Sequence, residues 1–206
     1  MKFIVLLGAV AWIAASIAGV TYLNRYETTP GSPDAVYPTE FPAASSLVRS
    51  ESKPTLIFFA HPKCPCTHAS LNELARLMTE IGERATTYVV FIKPADESVD
   101  WTDTDTRRLA ESIPGVKVVI DDNEMEARLF GAETSGLVLL YSPTGALQFH
   151  GGITSARAHE GDNAGKSAVA ALVSNDTSVV NETAVFGCPL HKKDCPADML
   201  PNAEPK

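Results

Sequence analysis

Hydrophobic residues open the chain in one unbroken block: FIVLLGAVAWIAASIAGVTYL, Phe3 to Leu23, carries no charged side chain. As a helix it would be about 30 Å long, the thickness of a bilayer's hydrocarbon core. An uncleaved anchor over residues 1–23 is one reading. A cleavable signal peptide is the other, because Ser16 and Ala18 form a small-x-small site, although the block exceeds the usual apolar core of about 7–15 residues. Lys2 and Arg25 flank the block with one charge each and leave its orientation open. Under both readings the remainder of the chain lies outside the cytoplasm.

Residues 24–53 lack an apolar period and carry Pro30, Pro33, Pro38 and Pro42, the composition of a stalk. From Pro54 the pattern changes. PTLIFFA is a short apolar run suited to a buried strand, and Ala69, Leu71, Leu74, Ala75, Leu77, Met78 and Ile81 recur at three- and four-residue spacing, a helical stripe ending near Gly82. TTYVVFI (86–92) predicts a second strand, TDTDTRRLAESI (102–113) a helix, VKVVI (116–120) a third strand and DDNEMEARLFG (121–131) a short helix. GLVLLYSPTGALQFHGG reads as a hairpin around Ser142 to Gly145, and DNAGKSAVAALVS (162–174) as a last helix. Strands alternating with helices before an antiparallel finish define an α/β domain over 54–174, a mixed sheet flanked by helices. A weakly patterned tail, 175–206, follows.

The net charge of -8 argues against a nucleic-acid partner, and no Gly-rich phosphate loop occurs. Chemistry concentrates in HPKCPCTH, residues 61–68. Cys64 and Cys66 stand where the first strand gives way to a helix, and a thiol at a helix N-terminus ionises more readily. Lys63 adds to that effect. Cys64, at the junction, is expected to be the more exposed and the attacking thiol, with Cys66 resolving the mixed disulfide. Closing a ring over one intervening residue is strained, which makes such a disulfide oxidising or isomerising. A second reading uses His61, Cys64, Cys66 and His68 as a soft-metal set for copper, although Cys66 and His68 lie about 200° apart on a helix. A third leaves both thiols structural. Cys188 and Cys195 in the tail have two readings: a disulfide pinning their loop, or Cys188 returning to the Cys64/Cys66 site.

PTLIFFA running into cysteines, VKVVIDDNEMEARLFGA and GLVLLYSPTGALQFHGG together resemble the thioredoxin-like superfamily, in its membrane-anchored TlpA- and ResA-type branch. HPKCPCT, TSG, GGITSARAHEGDNAG and FGCPL resemble more closely a bacterial family labelled RedB. The resemblance implies a single-pass protein of the bacterial inner membrane, its domain in the periplasm or extracytoplasmic space. It also implies thiol-disulfide exchange with protein partners, without a cofactor. Two departures stand out. The superfamily's Cys-x-x-Cys is here Cys64-Pro65-Cys66, and the position of its cis-proline reads Thr134-Ser135-Gly136, so that Gly136 faces the thiols. The same resemblance brings the polar loop 155–165, with Arg157, His159, Glu160 and Asp162, beside the cysteines. His159 is then a proton carrier, or it is solvated while Asp162 or Asn163 caps the last helix.

Overall fold

The computed structural model describes residues 2–176 and 180–191. The apolar block forms α1, Lys2–Thr28, long and apolar enough to cross a membrane by length and composition. Its side chains, among them Phe3, Trp12 and Leu23, are exposed.

The domain follows as β1 (Thr55–Ala60), α2 (Pro65–Ile81), β2 (Thr86–Lys93), α3 (Asp105–Ser112), β3 (Val116–Asp122), α4 (Met125–Leu129), β4 (Leu137–Tyr141), β5 (Leu147–Gly152) and α5 (Ala164–Val173). The sheet order is β3-β2-β1-β4-β5, with β1, β2 and β3 parallel and β4 and β5 antiparallel to their neighbours. The mixed α/β sheet expected from the chain pattern is therefore present. Every residue of β1 is buried, as its uninterrupted apolar run requires of a central strand.

Local residues set the helix ends. Thr104 caps α3 by accepting from the Arg107 amide, and Asn163 caps α5 by accepting from the Lys166 amide, so Asn163 and not Asp162 fills that role. The Asp121 carboxylate accepts from the Glu126 and Ala127 amides at 2.9 and 2.8 Å and starts α4.

One sheet face packs Leu56, Phe58, Phe91, Val138, Leu140 and Phe149 against Leu71, Leu74, Leu77 and Ile81 of α2 and Val169 and Val173 of α5. Burying each of these side chains contributes about 1.5–3 kcal/mol. On the opposite face, Ile57, Phe59, Val90, Leu139 and Tyr141 meet α4 and two segments outside the regular elements. One is the Pro-rich stretch expected to form a stalk. Instead it lies on the domain: Leu47 is buried, Phe41 packs edge-on to Phe130 and Tyr141 at 5.4 Å, and Leu147 donates its amide to the Thr39 carbonyl. The cause is that α4, at five residues, leaves much of this face to be covered. The other segment is 180–191, whose Val185 and Leu190 complete the same cluster.

Candidate functional site

The site forms where β1 ends and α2 begins. Cys64 is the N-cap of α2, Pro65 its first residue, and Cys66 follows within the first turn. Proline fits there because it has no amide proton to leave unsatisfied and its fixed φ suits the helix. The Cys64 side chain makes no capping hydrogen bond to α2.

Cys64, Cys66 and Cys188 are all free thiols. Polar groups surround the Cys64 sulfur: the Cys188 thiol and amide, the Cys66 thiol and the Thr67 hydroxyl. Led by the bond from Cys188, these donors outweigh burial and hold the Cys64 thiol far below its usual pKa. Cys66 and Cys188 move the other way. Each donates to Cys64, is buried and faces its negative charge, so each is held protonated. The downward shift falls on the thiol that the sequence assigns as attacker, but its expected exposure is wrong: Cys64 is 2% exposed and Cys66 7%. The reason is the tail, which covers Cys64.

That cover is built from backbone. Thr134 and Pro189 form an antiparallel bridge, the Ser135 amide donates to the Cys188 carbonyl at 2.8 Å, and the Leu190 amide donates to the Glu133 carbonyl at 2.8 Å. Gly187 allows the approach, since a Cβ there would collide with the Ser135 carbonyl. Gly136, at φ +94, donates its amide to Phe59 and faces Ser70 and the Phe186 carbonyl, so the space opposite the thiols is filled. Of the two readings for Cys188, the described residues place it at the thiol site. Cys195, its other possible partner, lies outside the described residues.

A hydroxyl chain supports Cys64. The His61 amide donates to Ser135 Oγ at 2.9 Å, and Ser135 Oγ lies 2.7 Å from Thr67 Oγ1. The Thr67 hydroxyl also lies 3.4 Å from the His61 carbonyl, to which it can donate. His61 packs edge-on to Trp101 at 5.1 Å, and Lys63 Nζ sits 5.1 Å from the centre of the same ring. Burial lowers the His61 pKa, and Lys63 pushes the same way. His68 is on the outer face of α2, 3.3 Å from Asn72. Among the described residues, no three His, Cys, Asp or Glu side chains gather as a metal-ligand set, and His61, Cys64, Cys66 and His68 are not brought together.

The polar loop does reach the cysteines, through Arg157. This side chain is 9% exposed. It bonds the Cys66 sulfur, donates Nη1 to the Gly187 carbonyl at 2.6 Å and Nε to the Tyr26 carbonyl at 3.2 Å, and stacks on the Tyr26 ring. His159 is exposed, and Glu160 turns outward to Arg76 at 2.8 Å. Thr67 is the site residue that reading the sequence for thiols and imidazoles passes over, and Arg157 and Ser135, expected near the cysteines, had no role assigned to them. A lone arginine in a polar loop looks solvated, and its burial depends on the end of α1 and the tail meeting there.

No family model matches the chain, and no curated protein matches it. Among solved structures, the chain is similar to an uncharacterised conserved protein from Geobacillus kaustophilus, with 15% identity, TM-score 0.59, and 82% of this chain and 92% of the other covered. A hypothetical protein from Sinorhizobium meliloti 1021 gives 18% identity, TM-score 0.57, and coverage of 79% and 93%. A secreted Mycobacterium tuberculosis disulfide oxidoreductase homologous to E. coli DsbE gives 10% identity, TM-score 0.45, and coverage of 70% and 99%. The fold is thioredoxin-like, a five-stranded mixed sheet with the thiols at the start of the helix after its central strand.

Proposed function

We propose that the chain is a membrane-tethered, extracytoplasmic thiol-disulfide oxidoreductase of the RedB-like kind its motifs resemble, held at a bacterial inner membrane by α1. The observation that carries this reading is the placing of the thiols: Cys64 is the N-cap of α2 and Cys66 lies in its first turn, where the free amide end favours a thiolate. A thiolate is the form that attacks a disulfide.

The Cys64 thiolate attacks one sulfur of a partner protein's disulfide. The partner's other sulfur leaves as a thiolate, and a mixed disulfide forms. Cys66 then attacks the Cys64 sulfur, releases the partner's second thiolate and leaves a Cys64–Cys66 disulfide. Two electrons have passed from the pair to the partner, and the reverse sequence oxidises a partner dithiol. Arg157 bonds the Cys66 sulfur and stabilises its charge when it gives up its proton. With two cysteines on one turn, the partner's first sulfur is expected on Cys64. Trapping that adduct in the double variant Cys66→Ser, Cys188→Ser with a disulfide-containing peptide, followed by mass mapping, tests the assignment.

A further inference from the structure

The strand that covers Cys64 belongs to the same chain, and it carries a cysteine. Segment 186–190 lies against Glu133 to Gly136 as an added antiparallel strand, fixed by two backbone hydrogen bonds and the Thr134–Pro189 bridge. Arg157 clamps it through the Gly187 carbonyl. Strand addition at an open edge is a general way for a protein to take up an extended peptide. Here the added segment is held by its backbone so that it brings the Cys188 thiol beside the reactive sulfur. A partner polypeptide that brings a cysteine to Cys64 meets the same edge, and the two cannot occupy it together.

We propose that segment 186–190 is an internal substrate, and that Cys188 takes Cys64 from Cys66 to form a Cys64–Cys188 disulfide that latches the groove shut. The inference rests on the exchange chemistry proposed above. Once that chemistry has produced Cys64–Cys66, Cys188 attacks the Cys64 sulfur, the 64–66 bond breaks, and the Cys188 proton passes to the departing Cys66 sulfur. One disulfide replaces another, so no further oxidant is needed. Two features favour the product. The one-residue ring of Cys64–Cys66 is strained, whereas Cys188 approaches on a separate strand already in register. Arg157 contacts both Cys66 and the Cys188 strand, so its charge supports the thiolate on either side of the exchange. Oxidised, the chain is closed to partners; reduction at Cys64 frees the strand.

The test uses the full chain in detergent, reduced, oxidised with a limiting peptide disulfide, alkylated and mapped by mass spectrometry. Cys64–Cys188 is expected as the main product, both in the native chain and in Cys66→Ser. Once oxidised, Cys188→Ser is expected to react with a peptide thiol at Cys64 about tenfold faster than the oxidised native chain, because no Cys64–Cys188 bond holds the tethered segment over the sulfur. Accumulation of Cys64–Cys66 with Cys188 reduced, or joined to Cys195, overturns the latch while leaving exchange at Cys64 intact. Unchanged peptide exchange in Cys64→Ser would instead overturn the exchange reading on which the latch depends.

Discussion

The Ser135 amide and the Cys188 carbonyl are hydrogen-bonded at 2.8 Å, so the loop facing the reactive sulfur is already paired with a strand of its own chain. This pairing determines how Cys64 is reached, because a buried thiolate reacts only when its cover moves.

The cover depends on Gly187, where any side chain meets the Ser135 carbonyl. Gly187→Ala is expected to lift the strand, raise the alkylation rate of Cys64 severalfold and lower stability by about 1–3 kcal/mol, the usual range for overpacking. Timed alkylation with mass mapping and denaturant unfolding read the two effects separately.

Ser135 links the His61 amide to Thr67, which in turn bonds Cys64. Ser135→Ala leaves the buried His61 amide without its acceptor and frees the Thr67 hydroxyl to turn away. A loss of about 1–3 kcal/mol is expected. The Cys64 pKa should rise with it, as read from thiolate absorbance during a pH titration.

The stability contributed by Cys64 has a definite pH dependence. Its folded pKa is depressed below the unfolded value of about 8.5, so the contribution is complete above about 8.5 and is lost as pH falls through the folded pKa. Cys66 and Cys188 have raised folded pKa values, and their contribution is complete below about 8.5 and lost as pH rises through those values. The stability difference between the native chain and Cys64→Ser should therefore grow from acid to neutral pH. Denaturant melts across that range check it.

Glu73, 0% exposed, is the anchor between α2 and the polar loop. It pairs with Lys166 at 2.6 Å, with Arg76, and with the Gly161 amide at 2.7 Å. Burial alone would raise its pKa, but these partners outweigh it and the net shift is downward. Its contribution is thus complete above the unfolded pKa of about 4.3 and lost as pH falls through the folded value. Glu73→Gln, which leaves the Lys166 ammonium unpaired, is expected to cost about 3 kcal/mol in denaturant unfolding at neutral pH.

The regular elements were legible because their patterns are local. The uninterrupted apolar run at Thr55–Ala60 and the helical stripe from Ala69 to Ile81 announce a central strand and a half-buried helix. The place of Cys64 at the start of α2 was equally legible, since a strand-to-helix junction implies a helix N-terminus. What escaped was cover supplied from a distance in sequence. Phe41 in a Pro-rich stretch and Val185 in an unpatterned tail have no periodicity to mark them, yet both pack on the sheet face that α4 leaves open. For the same reason Cys64 is less exposed than its junction suggests, and of the loop residues expected beside the cysteines it is Arg157 that reaches them while His159 stays exposed. Burial of an arginine depends on acceptors such as the Gly187 and Tyr26 carbonyls, which no local pattern reveals.

Exchange at Cys64 is tested most directly by incubating the reduced full chain with a peptide disulfide and following release of the peptide thiol in the native chain and in Cys64→Ser. The native chain should release thiol, the double variant Cys66→Ser, Cys188→Ser should trap the peptide on Cys64, and Cys64→Ser should release none above background. Release from Cys64→Ser at the native rate would contradict the assignment of Cys64 as the attacking sulfur.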